Sequence, residues 1–310
     1  MMLDINSKYN RIKNIPLKGK IIFNYELASY TWLKTGGKAD IFFAPKDTND
    51  LKFFLENLNK NIPFFILGAG SNTLFRDLGF NGAVIKLSKS FDYIKFINNK
   101  EFKVGAATNC IKMARFLAKN YTAGYEFFSG IPGSIGGAIK MNAGAYGFET
   151  SQYLIKIKIL NRKNGEIKNI LSKDYQMNYR YTNFPDEYIF LEGTFKYLRS
   201  KNTTDSLNKI KNLIKERQLT QPIQEKTSGS TFKNPKNFKA WKLIQDSGCK
   251  NYKLGKAHLS KMHSNFIINK GNATSNDIER LGEEIIKKVY EKFGVKLVWE
   301  IKIIGRKGIC

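Results

Sequence analysis

Glycines crowd the stretch GIPGSIGGAIKMNAGAYG, residues 130–147, standing at positions 130, 133, 136, 137, 144 and 147. A shorter run, Gly68-Ala69-Gly70-Ser71-Asn72, lies upstream, and Thr35-Gly36-Gly37 precedes both. Positions without a Cβ let a backbone turn through left-handed conformations or come very close to another group. Bare N–H groups in such loops cradle anionic oxygens, so a diphosphate-bearing ligand is one reading. A tight crossover packed with small residues is the other, and a simple β-turn serves equally well for Gly36-Gly37. Ser71 and Asn72 add side-chain donors where the glycines expose backbone donors, a combination suited to two phosphates. Leu74 and Phe75 fill out the second motif and no clear helix follows, which argues against an ordinary Rossmann dinucleotide site. Glu300, in VWEIKII, is a lone carboxylate in an apolar run. Such a group is costly unless paired or protonated, which makes it a site candidate.

The elements around these residues read as alternating helices and strands. Asp47 can N-cap a helix through Leu51, Phe54, Leu55 and Leu58, and PFFILG is a continuous apolar strand that empties into Gly68. Buried strands ending in glycines are where open α/β sheets place ligands. AVIKL, FDYIKF and FKVGAA read as strands, and Thr108 can cap a helix through Ile111, Ala114, Leu117 and Ala118. LIKIKIL and IKNIL, joined at Asn164-Gly165, form a hairpin, and IFLEGTFKYL is a further strand. After Leu198 the chain turns polar, which places a boundary near Ser200. Leu207, Ile210, Leu213 and Ile214 then define an amphipathic helix that ends before Pro222. The remainder holds a short helix over residues 238–246, a strand at NFIIN, a helix over residues 275–293 stopped by Gly294, and a final strand VKLVWEIKII.

A chain of 310 residues buries a sizeable core and suggests two or three domains. The formal net charge of +26 would attract nucleic acid, acidic membranes or phosphorylated small molecules. The lysines are spread along the whole length, without a basic block or zinc-finger spacing, so the charge reads as a solvated surface. Cys110, Cys249 and Cys310 are too few and too far apart for a disulfide framework or a metal site, which favours a reducing compartment. The N-terminus shows no secretory h-region and no stretch reaches membrane-span length, so a soluble cytoplasmic protein is expected. No metal site is expected. His258 and His263 read as structural or exposed.

Eight segments together resemble the UDP-N-acetylenolpyruvoylglucosamine reductase family. They are KTGGKAD at 34–40, LGAGSNTL at 67–74, SGIPGSIGGAIKMNAGAYG at 129–147, YRYTNF at 179–184, SGSTFKNP at 228–235, AWKLIQDSG at 240–248, HSNFIIN at 263–269 and WEIKIIG at 299–305. The resemblance implies an α+β protein: a two-subdomain FAD-binding fold of the vanillyl-alcohol oxidase type, followed by a C-terminal α+β substrate domain. Its bounds are residues 20–87, 88–200 and 201–310. It implies a monomeric flavoenzyme of cell-wall precursor synthesis that takes hydride from NADPH through non-covalent FAD to the enolpyruvyl group of a UDP-sugar. FAD would be held by Thr35, Gly36, Gly37, Gly68, Ala69, Gly70, Ser71, Asn72 and Leu74. From the principal stretch Gly130, Ile131, Pro132, Gly133, Ser134, Gly136, Gly137, Ala138, Asn142, Ala143, Gly144, Tyr146 and Gly147 would join them.

By the same comparison Arg180 is the carboxylate-binding arginine, Ser230 the proton donor and Glu300 the catalytic glutamate, while Lys233, Asn234 and Asn265 contact substrate. The chemistry agrees with these roles. Hydride addition to the methylene carbon of an enol ether pushes charge into the neighbouring carboxylate, which calls for cationic or protonated partners. The adjacent carbon then needs an acid. Cys249, Asn251 and Thr182 depart from the family's usual residues, and the short interval from Arg180 to Ser230 resembles the class without a substrate-capping tyrosine loop. Two rivals stand beside this reading. One is an oxidase of the same fold, disfavoured because neither histidine lies near a glycine loop to tether a flavin. The other is a basic binding protein, which would be colourless.

Overall fold

A computed structural model describes residues 9–308. The first eight residues and Cys310 lie outside the described residues, and with them part of the expectation of an N-terminus without a leader. Contacts within the chain divide it into two units. Among the described residues the first comprises those up to 25 with 40–69 and 82–214, and the second comprises 26–39, 70–81 and those from 215 on.

The first unit holds a four-stranded sheet and a five-stranded sheet. In the smaller sheet, Phe64–Ile66 runs parallel to Phe80–Ile85, Phe64 facing Ala83. The helix Thr48–Asn57 covers it, its N-terminus capped as expected by Asp47, whose carboxylate accepts the Asp50 N–H at 2.9 Å. Leu51, Phe54 and Leu55 are buried on one helical face, and Phe54 stacks on Phe43 with ring centroids 4.2 Å apart. The larger sheet is antiparallel, ordered Ile167–Leu171, Leu154–Asn161, Tyr188–Lys196, Glu101–Gly105, Ile94–Phe96. The helix Cys110–Lys119 is capped by Asn109 rather than Thr108. The Thr108 hydroxyl donates instead to the Tyr93 carbonyl at 3.2 Å, so the cap falls to the next residue. Helix Thr203–Thr220 buries Ile210, with Leu207 and Ile214 against the same core. Its apolar stripe packs in the first unit, whose last segment runs to Ile214.

The second unit is built on helix Ser275–Phe293, which buries Ile278, Leu281, Ile285 and Val289. Its start is fixed twice. Thr274 and Asp277 form a capping box, and the Asp77 carboxylate accepts the N–H groups of Ser275 and Asn276, both at 2.9 Å. An anion there also meets the positive end of the helix. Arg76 makes paired hydrogen bonds to Glu279 at 2.8 Å and a third to the Gly305 carbonyl. The expected last strand is shorter than its apolar run. Only Lys302–Ile304 is a strand, parallel to Thr73–Phe75, while Trp299 makes an isolated bridge to Phe232. The two partners differ because the chain changes neighbours at Ile301. Among the described residues no helix is long and apolar enough to cross a membrane, and no cluster of His, Cys, Asp or Glu could hold a metal ion.

Candidate active site

In the first unit the principal glycine stretch contains a helix, Ile135–Met141, where a loop throughout is the sequence expectation. Ser134 N-caps it, accepting the Gly137 N–H at 3.4 Å, and Asn142 ends it at a left-handed φ of 42°. The signal was present in Ser134 followed by Ile135, Ala138 and Ile139, but Gly136 and Gly137 masked it by lowering helix propensity. This helix changes the reading of several expected cofactor contacts. Ile131 and Ala138 are core residues. Asn142 is fully buried, its amide nitrogen donating to Glu149 and to the Asn178 carbonyl while its oxygen accepts the Ser151 N–H. The Ala143 carbonyl accepts both the N–H and the hydroxyl of Thr150. Tyr146 directs its hydroxyl to the Leu213 carbonyl at 2.9 Å, and a Cβ on Gly130 would lie 2.6 Å from its ring. Gly130 is therefore required first by packing against Tyr146, so the crossover reading holds there alongside any ligand.

Arg180 lies beside this stretch. It occupies the two-residue turn between Met177–Asn178 and Tyr181–Thr182, at a left-handed φ of 53°. Three hydrogen bonds stitch that hairpin down: Asn142 to the Asn178 carbonyl, Thr182 to the Lys140 carbonyl at 2.8 Å, and Arg180 Nη2 to the Gly144 carbonyl at 3.0 Å. The guanidinium also lies over the Tyr179 ring, 5.0 Å from its centroid. A non-glycine residue held at positive φ by its surroundings is a feature of functional sites.

Lys86, at the end of the strand AVIKL, was missed in the sequence because it only continued an expected strand. Its Nζ donates to the Gly68 carbonyl at 2.7 Å, and burial pushes its pKa down. A Cβ on Gly68 would stand 2.7 Å from Ser134 Oγ, so the strand end and that residue lie close together. Ser129 Oγ, in the same glycine stretch, is buried without a partner among the described residues. A glycine-lined corner with a lysine beside it fits an anionic, hydrogen-bonding cofactor such as FAD.

In the second unit the segment that follows Ser230 pairs through its backbone with the segment that carries Glu300. The Glu300 N–H donates to the Thr231 carbonyl at 2.9 Å and the Lys233 N–H to Val298 at 2.8 Å, flanking the Phe232–Trp299 bridge. Glu300 is half-buried and extended, outside any regular strand, which lowers the desolvation argument made for it from sequence. Two asparagines frame the pair. Asn72 Nδ2 donates to the Glu300 carbonyl at 3.0 Å, and its own carbonyl accepts the Lys302 N–H. Asn265 is buried, accepting the Phe232 N–H at 2.9 Å and donating to the Phe232 carbonyl at 2.8 Å. Both are expected to touch ligand, and in the structure their side chains bond the backbone of the segments next to Ser230 and at Glu300. Asn234 is similar, its oxygen accepting the Ala240 N–H. Leu74 is wholly buried in the core. Thr35 is buried, its carbonyl taken by the Thr31 hydroxyl, and the Gly37 N–H donates to the Arg76 carbonyl. His263 is structural: Nδ1 accepts the Asn265 N–H at 3.2 Å and burial pushes its pKa down. Ser228 Oγ is buried and unpartnered among the described residues, two positions before Ser230.

Asn265→Ala would strand a buried N–H and a buried C=O of Phe232. We expect a loss of about 2–4 kcal/mol in a denaturant titration, since each unsatisfied group costs about 1–3 kcal/mol. An unchanged unfolding midpoint would remove the clamp role.

Comparison with known proteins covers most of the chain. Residues 39–170 match the family model described as FAD binding domain, and residues 221–304 match UDP-N-acetylenolpyruvoylglucosamine reductase, C-terminal domain. The UDP-N-acetylenolpyruvoylglucosamine reductase of Orientia tsutsugamushi (strain Ikeda) is 44% identical, the alignment covering 94% of this chain and 97% of that protein. The protein of the same name from Rickettsia akari is 43% identical over the same shares. The crystal structure of UDP-N-acetylenolpyruvylglucosamine reductase from Thermus caldophilus superposes with a TM-score of 0.78 at 28% identity, over 93% of this chain and 99% of that one.

Proposed function

Because the chain belongs to the UDP-N-acetylenolpyruvoylglucosamine reductase family, FAD-containing oxidoreductases of peptidoglycan precursor synthesis, we propose that it reduces UDP-N-acetyl-3-O-(1-carboxyvinyl)-glucosamine to UDP-N-acetylmuramate at the expense of NADPH. Bound FAD supplies the chemistry that carries hydride from the nicotinamide to the enol ether. Arg180 receives the substrate carboxylate in its planar fork as that group gains enolate character. Ser230 Oγ gives its proton to the carbon beside the carboxylate, and Glu300 is the second acidic group at the reacting end. Lys233 meets the diphosphate as a point charge. The observation that supports this reading most is the pairing of the Ser230 and Glu300 segments, fixed from both sides by the amides of Asn265 and Asn72. Side chains that transfer protons need such supported backbones to hold geometry.

The reading extends to a monomer acting in the cytoplasm. Its test is oxidation of NADPH that depends on the enolpyruvyl sugar nucleotide, with the muramate product identified by mass. NADPH oxidation indifferent to the sugar nucleotide would set the reading aside.

A further inference from the structure

Five large apolar side chains of the first unit, Phe96, Ile97, Phe116, Tyr121 and Leu198, are 36–55% exposed, and contacts join them into one face. Phe96 ends Ile94–Phe96, the edge strand of the five-stranded sheet. Its ring stacks on Phe116 with centroids 6.2 Å apart and stands perpendicular to Tyr197 at 5.6 Å. The Tyr197 hydroxyl donates to the Tyr121 carbonyl at 3.4 Å, and the Ala123 N–H donates to the Leu198 carbonyl at 2.9 Å. Helix Cys110–Lys119 buries Met113, Ala114, Leu117 and Ala118, which leaves Phe116 outside its apolar stripe. Contiguous exposed apolar surface rimmed by polar groups marks an interaction site.

The rim carries one sign of charge. Residues 95–100, 112–121 and 196–201 supply the face, and they hold two, three and three lysines or arginines with no aspartate or glutamate, whereas the whole chain has 26 carboxylates to 52 cations. Of the carboxylates that border these segments, Asp92 is taken up by Lys112 at 2.8 Å and Glu101 by Lys156 at 3.4 Å. Asp205 lies in the first turn of helix Thr203–Thr220, at its positive end. The three segments are far apart in the chain, so no basic block announces them. We propose that this face docks reversibly on an anionic lipid surface, its apolar side chains entering the boundary between headgroups and acyl chains while its cations meet lipid phosphates.

The side chains themselves select this occupant. A second copy of the chain would set like charges against each other. Ile97 and Leu198 offer no ring for a nucleic-acid base to stack on, yet hydrocarbon accepts them as readily as it accepts Phe96. Addition of a partner's strand is discouraged at this edge, which is three residues long with Lys95 at its centre. Lysine and arginine stems lie along apolar neighbours while their charged heads stay at the level of the phosphates.

The test is sedimentation of the full-length protein with vesicles of phosphatidylcholine, alone or mixed with phosphatidylglycerol, over a series of salt concentrations. Wild type should bind the mixed vesicles, release them as salt rises, and leave the neutral ones. Arg199→Gln combined with Lys201→Gln should weaken binding about thirtyfold, at roughly fivefold per cation. Ile97→Asn combined with Leu198→Asn should weaken it at least about tenfold. Thermal unfolding checks that each variant is folded; where a pair does not fold, its two single substitutions replace it, each with a loss of about fivefold expected. Wild type that ignores anionic vesicles, equal binding to neutral ones, or binding that survives either pair would overturn the inference. Self-association in solution, or capture of a single-stranded oligonucleotide, that takes the place of vesicle binding would overturn it too. Oxidation of NADPH has no part in the readout, so failure here leaves the proposed activity standing.

Discussion

Ser230→Ala should leave bleaching of the flavin by NADPH at the wild-type rate and slow its recovery by the enolpyruvyl sugar nucleotide by about 10²–10⁴-fold, the usual contribution of a positioned acid. The two halves of the reaction would separate because the proposed role of Ser230 lies only in the second. Its hydroxyl is a weak acid and works only if held against a strongly basic carbon, so position matters more than acidity. That position is set by neighbours untouched in the variant: Thr231 pairs with Glu300, and Phe232 is held through both its amide groups by Asn265. The variant should therefore fold and bind as wild type. Stopped-flow absorbance under anaerobic conditions reads both phases, and normal recovery would take the proton from Ser230.

Arg180→Lys is the second large effect, with an expected fall of about 10²–10³-fold in kcat/KM for the sugar nucleotide. Lysine keeps the charge but loses the fork that matches a carboxylate. The left-handed φ of 53° burdens both residues alike, so the comparison isolates the side chain from the strain of its turn. The hydrogen bond to the Gly144 carbonyl and the stack on Tyr179 both depend on the guanidinium, which predicts a looser hairpin as well. Steady-state kinetics with the sugar nucleotide varied would show it. A loss confined to NADPH would assign Arg180 to the nicotinamide instead.

Much of the fold was legible where the signals are local. Asp47, Asn164-Gly165 and Gly294 each mark a boundary through their own backbone preferences, and the apolar spacing in residues 278–289 named the buried face of its helix. A polar stretch such as that near Ser200 says nothing about which core a following apolar stripe joins; the stripe Leu207, Ile210 and Ile214 packs in the first unit. Helix Ile135–Met141 hid behind its glycines.

At the site, the order of motifs led to Arg180, Ser230 and Glu300 as the proposed catalytic groups. Asn72, Asn142 and Asn265 read as ligand donors, and each has a hydrogen bond to backbone in the structure. An amide carries both donor and acceptor, so residue type alone cannot say whether it faces a ligand or the chain. Lys86 was invisible for the converse reason: a lysine continuing a strand looks like surface until its Nζ is seen to reach the Gly68 carbonyl just beyond the neighbouring strand.

The most direct test of the whole account is an absorbance spectrum of the purified wild-type protein, taken without oxygen before and after NADPH and again after the enolpyruvyl sugar nucleotide. The account predicts a yellow protein that bleaches at the first addition and recovers its colour at the second. A colourless protein, or a bleached one that the sugar nucleotide leaves bleached, would contradict it.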